Sequence, residues 1–179
     1  MAGASRAPGN VTARPRNTRA TGDVGKNASV SKVTSHVLET VDEKTAAALA
    51  VLLPQVSSRA APLTLDRLKA VVSSPTQIVV ALLDDRIVGM SLLCVCETLA
   101  GRFGLVEEVA VDEAARGHHV GIELIVTVLE EAERLGLEFV ELTSRPSREA
   151  ANGLYVSLGF ERRETSVYRH RLAVLPLRR

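Results

Sequence analysis

The chain has no tryptophan, three phenylalanines and two tyrosines among 179 residues, which excludes an aromatic platform for stacking single-stranded nucleic acid. Its only cysteines, Cys94 and Cys96, lie two apart in an apolar run. On a strand both would point to one face, a geometry that suits a disulfide poorly. Without a disulfide framework, a reducing cytoplasm is the default expectation. Every apolar run is interrupted by charge or glycine before it reaches the ~20 residues of a membrane span, so no membrane partner is expected. A surplus of either charge is also missing, with 22 basic and 21 acidic side chains and a net charge of +1.

What remains is an aliphatic protein. Hydrophobic residues make up 46% of the chain, mostly Ala, Val, Leu and Ile, enough for one domain with a sizeable core. The net charge hides an asymmetry. Residues 1–32 carry Arg6, Arg14, Arg16, Arg19, Lys26 and Lys32 against Asp23, so the body that follows is acidic overall. Residues 1–33 have almost no large apolar side chains and no period, and are expected to be a disordered basic arm before a domain spanning 34–179. Two other readings of the arm stay open: a transit peptide, which would lack the usual amphipathic stripe, and a nucleic-acid-binding tail, for which charge is the sole argument.

Along the domain, residues 36–40 read as a strand and 43–53 as a helix capped by Asp42 and closed by Pro54. A loop over 55–62 leads to a helix at 65–72, with Thr64 as cap and Ser73-Ser74-Pro75 as stop. Residues 77–83 and 86–96, separated by Asp84-Asp85, read as a hairpin, and 103–111 as the next strand. A helix follows with Val120, Leu124, Ile125, Val128, Leu129, Ala132 and Leu135 on one side, ended by Gly136. Then come a short strand at 139–143, a helix at 147–158 ended by Gly159, and two strands at 160–163 and 167–172. The order is β-α-α-β-β-β-α-β-α-β-β, a mixed, mostly antiparallel α/β sheet with helices on both faces.

The stretch from Leu105 to Leu124 carries chemistry: a strand with two carboxylates, then Arg116-Gly117-His118-His119-Val120-Gly121, then a helix. None of residues 116–119 is a Ser, Thr, Asp or Asn that would cap this helix. Its first N–H groups are therefore left for another acceptor, and an anionic ligand is one candidate. The adjacent His118 and His119 have no third ligand at useful spacing, so no metal is expected.

The strand VEEVAV, the loop ARGHHVG, a helix, a strand and the segment ANGLYVSLGF together resemble the GNAT superfamily of acyl-coenzyme A dependent N-acetyltransferases, over roughly residues 35–172. The resemblance implies a GNAT-type fold and acetyl-coenzyme A as cosubstrate, with no metal. The family's loop pattern, Arg/Gln-x-x-Gly-x-Gly/Ala, puts Arg116 first, His119 fourth and Gly121 sixth, with Gly117, His118, Val120 and Ile122 completing the coenzyme-phosphate loop. His119 stands where glycine is usual. Three roles stay open for it: an allowed conformation with the imidazole in solvent, a crowding of the site, or a charge toward a phosphate when protonated.

By the same resemblance, the main chain of Val109, Ala110 and Val111 contacts the pantetheine arm, and the Val109 N–H polarises the thioester carbonyl. Glu107 and Glu108 are the candidates for the base, on opposite faces by alternation unless a bulge intervenes. Tyr155 is the candidate acid toward the departing thiolate. A phenol of pKa about 10 can protonate a thiolate of about 8.5 only where the site favours it. Arg148 stands where many members have a pantetheine-binding Asn; two readings stay open, an alternative contact or a reach to a phosphate by Arg148 itself, and the amide-binding role taken by Asn152 on the same helix.

The expected function is transfer of an acetyl group to a primary amine by direct attack in a ternary complex. The acceptor is a small-molecule or peptide amine, selected by residues 55–62, 96–102 and 164–166. The alternative is an acyl-coenzyme A binding or interaction module with little or no catalysis. Composition argues against a nucleic-acid partner for the body. A homodimer is compatible with the pattern but has no signature in it. Cys94 and Cys96 read as core residues.

Overall fold

The computed structural model describes residues 32–57, 61–170 and 172. The expected basic arm, up to residue 31, lies outside the described residues, as do 58–60 of the acceptor loop and 171 of the last expected strand. The elements in chain order are β1 (Val33–Val37), α1 (Glu43–Leu52), a 3-10 turn (Leu53–Gln55), α2 (Leu65–Val72), β2 (Gln77–Leu83), β3 (Arg86–Glu97), β4 (Arg102–Val111), a second 3-10 turn (Glu113–Ala115), α3 (Val120–Arg134), β5 (Val140–Leu142) and α4 (Glu149–Ser157). The strands form one sheet in the order β1-β2-β3-β4-β5, antiparallel except for the parallel pair β4 and β5. A parallel pair needs a crossover, and α3 supplies it.

Alternation divides the sheet's side chains between two cores. Val79, Ala81, Leu93 and Val106 pack with Val120, Leu124, Ile125 and Val128 of α3 and Tyr155 of α4. Ile78, Val80, Met90 and Ala110 pack with Ala46, Leu49 and Leu52 of α1 and Leu68 of α2. This is the mixed α/β sheet with helices on both faces that the pattern implied. Covering both faces is why β2 reads as a continuous apolar run. The hairpin between β2 and β3 closes through Asp84 and Asp85 at φ 49° and 60°, the doubly left-handed turn that matches strand twist.

β1 begins earlier than its sequence suggests. Val33, Ser35 and Val37 are its half-buried positions, and Ser35 Oγ bonds to Thr127 Oγ1 (2.5 Å) and donates to the Glu123 carbonyl (3.1 Å) on α3. A serine that satisfies its hydroxyl across the interface interrupts the apolar period without interrupting the strand.

Among the described residues of the two expected strands, 160–163 and 167–172, no strand is formed. Residues 161–170 are all exposed, with Val167 at 73% and Tyr168 at 91%. The segment is dominated by charged and polar side chains, so pairing would bury too little apolar surface, and β propensity alone does not make a strand. Its link to the sheet is a loose ion pair, Arg163 to Glu141, at 3.9 Å.

Candidate active site

Two irregularities in β4 shape the site. The first is a bulge: Met90 pairs with Ala110 but Leu92 pairs with Glu107, so Ser91 stands opposite both Glu108 and Val109. Glu108 adopts φ 53°, left-handed backbone that a non-glycine residue holds only under constraint. Val106 and Val109 both pack toward the α3 core, and Ala110 toward the α1 core. The extra residue thus breaks the alternation that would have separated Glu107 and Glu108.

The Glu108 carboxyl is pushed above the ordinary carboxylate range, first by burial and then by the neighbouring charge of Glu107, against the opposing pull of Arg67 on α2. Glu107 is exposed. Arg67 had no signal in the sequence as a neighbour of this carboxylate. Only the packing of α2 against the sheet brings it near.

The second irregularity is a fork. β4 and β5 pair only over Gly104–Val140, Leu105–Glu141 and Val106–Leu142, supplemented by the Gly104 N–H donating to the Phe139 carbonyl at 2.9 Å. From Glu107 to Val111, β4 has a strand partner among the described residues on its β3 side only. That free edge includes the main chain of Val109, Ala110 and Val111, and it leads through the turn at 113–115 directly to the N-terminus of α3.

At that helix end His119 is the N-cap, in left-handed conformation (φ 62°, ψ 14°), with no side-chain cap. Its carbonyl accepts from Ile122 (3.0 Å) and Glu123 (3.1 Å), which starts the helix. The N–H groups of Gly117, His119, Val120 and Gly121 find no acceptor among the described residues. They make an anion-receptive cluster. Arg116, His118 and His119 are exposed around it, and Arg116 Nη1 pairs with Glu113 at 3.1 Å. Gly117 needs its glycine for φ 83°, with nothing near the position of a Cβ. At Gly121 a Cβ would lie 3.2 Å from the Leu154 side chain of α4, a tight contact that the leucine would have to yield to. Gly89 on β3 holds the same helix end close: a Cβ would meet Val120 at 2.8 Å and Leu124 at 2.9 Å.

Tyr155 sits on α4, 7% exposed. The Leu158-Gly159-Phe160 segment places it. Gly159 is left-handed (φ 90°), the Phe160 N–H donates to the Tyr155 carbonyl (3.0 Å), and the Gly159 N–H donates to Val156 (3.1 Å). This is a Schellman cap, and its accompanying hydrophobic contact is Phe160 on the Tyr155 ring, centroids 5.8 Å apart. Burial raises the phenol's pKa and the charge of Arg148 opposes that rise, so Tyr155 is protonated at neutral pH. Its hydroxyl makes no hydrogen bond to the described residues.

Arg148 is the N-cap of α4, without a side-chain cap bond. Asn152 turns its amide inward, Nδ2 donating to the carbonyls of Arg145 (3.0 Å) and Pro146 (3.4 Å), and so pins the loop before α4. Cys94 and Cys96 are free and half-buried rather than in the deep core. Burial raises the Cys94 thiol, which argues against a reactive thiolate. Among the described residues no three His, Cys, Asp or Glu side chains gather as a metal site, and no helix is long and apolar enough to cross a membrane.

An anion-receptive helix end is thus joined by a free strand edge to a half-buried carboxylate. Residues 46–160 match the model of the acetyltransferase (GNAT) family, and the chain belongs to that family, as an acyltransferase. Solved structures agree on the fold. A transcriptional regulator from Bacillus halodurans C-125 is 23% identical over 78% of this chain and 100% of its own, with a TM-score of 0.67. An aminoglycoside acetyltransferase from an uncultured soil metagenomic sample, in complex with trehalose, is 20% identical over 79% of this chain and 96% of its own, with a TM-score of 0.70. Glucosamine-6-phosphate N-acetyltransferase from Arabidopsis thaliana is 15% identical over 76% and 98%, with a TM-score of 0.63. No curated protein matches the sequence.

Proposed function

We propose that this protein is an N-acetyltransferase that takes its acetyl group from acetyl-coenzyme A and gives it to a primary amine within a ternary complex. The observation that carries this reading is the continuity of the site: the free N–H groups of Gly117, His119, Val120 and Gly121 connect through the unpaired edge of β4 to Glu108. Acetyl-coenzyme A supplies an activated thioester on a long amide-bearing arm that ends in phosphates. The helix end suits the pyrophosphate, and the β4 edge suits the arm's amides.

Glu108 is the base. An amine arriving protonated must lose its proton to attack, and a carboxylate raised in pKa is better matched to that transfer than an ordinary one. As the nitrogen–carbon bond forms, negative charge grows on the thioester oxygen, where the Val109 N–H is the candidate donor. As the carbon–sulfur bond breaks, Tyr155 gives its proton to the departing sulfur and is reprotonated by the proton that the new amide nitrogen loses, while Glu108 releases the first proton to solvent. Glu107 adds negative charge on the acceptor side, which favours a cationic small-molecule or peptide amine. Holding both reactants at attack distance contributes much of the acceleration.

Calorimetry with acetyl-coenzyme A, followed by thiol release across a panel of amines, tests the reading. Saturable binding with turnover on at least one amine is expected. Tight binding with no turnover on polyamines, aminoglycosides, amino sugars or peptide amines would favour the non-catalytic binding module, and absence of binding would defeat both.

A further inference from the structure

We infer that the acceptor is a primary amine on an apolar chain that ends in an aromatic ring, its amine beside Glu107 and Glu108 and its ring on the stacked pair Phe103 and Phe139; this rests on the acetyltransferase reading above. The register of β3 and β4 sets the surface. Leu92 stands opposite Glu107 and Cys94 opposite Leu105, and alternation adds Phe103, so these side chains share one face of the sheet. Leu92 packs against the α1 core, which makes this the face of α1 and α2. The helical cover ends there. Among the described residues Phe103 and Leu105 are half-buried yet belong to neither core. Phe139 stacks on Phe103, with ring centroids 5.1 Å apart and planes 10° from parallel, and is 48% exposed.

This apolar strip is held in place and leads to the base. The Glu138 N–H donates to the Arg102 carbonyl and the Gly104 N–H to the Phe139 carbonyl, both at 2.9 Å, so β4 fixes Phe139 from either side while its ring faces solvent. A stack fixed in this way loses little freedom when a further ring joins it. At the other end, burial first and then the charges of Glu107 and Glu108 raise the Cys94 thiol, so both carboxylates lie within reach of the strip. Glu107 and Phe103 are four residues apart on β4, about 13 Å at the usual rise, with Leu105 halfway. An amine at the carboxylates therefore lays its body on Leu105, and its ring reaches the phenylalanines on a spacer of several methylenes. Glu141, opposite Leu105 on β5, already has a cation in Arg163 at 3.9 Å, so the second charge of a polyamine would meet apolar surface. Residues 161–170 are all exposed and leave the strip open.

The test measures kcat/KM by thiol release, on the full chain with acetyl-coenzyme A, for benzylamine, phenethylamine, phenylbutylamine and phenylhexylamine, with hexylamine and spermidine as controls. Values are expected to rise along the aryl series by about tenfold or more, the scale of covering one face of a ring, and to exceed both controls at the long end. Phe139→Ala is expected to remove most of that rise and to leave benzylamine within about twofold of the parent, whereas Phe139→Tyr retains the rise. A flat aryl series would overturn the inference, as would a preference for spermidine or an equal loss on benzylamine and phenylhexylamine in Phe139→Ala. A parent dimer in ultracentrifugation that Phe139→Ala splits would assign the strip to a second copy and overturn it as well. Turnover on spermidine or aminoglycosides without the aryl rise defeats this inference alone, while no thiol release with any amine defeats the acetyltransferase reading and this inference with it.

Discussion

Replacing His119 with glycine separates the backbone of the α3 entrance from its side chain. His119 holds φ 62° and ψ 14°. For a residue with a Cβ, that left-handed conformation costs roughly 1–2 kcal/mol. Glycine removes the cost but makes the unfolded chain more flexible, which takes back about 0.4–1 kcal/mol. The exposed imidazole makes no cap bond, so little else is lost. The net is a gain of about 1 kcal/mol, equivalent to about 2–4 °C in Tm for a domain of this size. Thermal and urea unfolding of the parent and His119→Gly measure it directly. A variant that melts lower would refute the conformational argument.

The same pair addresses the ligand. If the loop binds phosphates through its N–H groups, His119→Gly changes acetyl-coenzyme A affinity by no more than a few-fold. A gain well beyond tenfold would mean that the imidazole obstructs the site. His119→Ala, which keeps the backbone strain and removes the ring, then assigns any change to one or the other.

Three further outcomes are expected. Glu108→Gln should lower turnover by about 10²–10⁴, the usual contribution of a positioned base, and abolish the acid limb of the kcat/KM profile. In the parent that limb should lie above the ordinary Glu pKa of about 4.3, because burial and Glu107 raise the group; Glu107→Gln should move it down, and a limb that stays in place would separate the two carboxylates. The sign for stability is opposite to that of a paired carboxylate: a raised pKa in the fold means that ionised Glu108 opposes folding near neutral pH, so Glu108→Gln should be at least as stable there. Tyr155→Phe should reduce turnover by about tenfold or more with coenzyme A affinity nearly unchanged, and equal turnover would remove the proposed acid. Gly89→Ala should cost about 1–3 kcal/mol in urea unfolding, because the new methyl meets stiff Val120 at 2.8 Å and Leu124 at 2.9 Å, and should weaken acetyl-coenzyme A binding by displacing the α3 entrance.

Much of this protein is readable without coordinates, where the controlling physics is local. Caps at Asp42 and Thr64, the acidic hairpin turn and the glycine stop of α3 each depend on a few adjacent residues, and each stands where the sequence puts it. The 3.6-residue stripe of α3 is long enough to define its buried face. The family signature is legible for the same reason: the loop of residues 116–121 and the cap of 158–160 are short, contiguous and constrained by backbone geometry. What the signature does not reveal is that Phe160 acts by seating the Tyr155 ring, a contact that exists only once α4 is capped.

Other features were decided by tertiary structure, because they depend on partners distant in sequence. The bulge at Glu108 exists only in register with β3, and it alone determines that alternation no longer separates the two glutamates. The fork is set by where β5 leaves β4, which no pattern within either strand encodes. Ser35 hides a strand, since a serine looks the same in sequence whether its hydroxyl faces water or a helix. The residues after α4 show the reverse case, with strand-like local propensity and no surface to bury. Sequence by itself thus determined the family, the helices and the anion-receptive loop, through short-range geometry. Only long-range pairing decided where the sheet opens and which carboxylate is half-buried beside that opening.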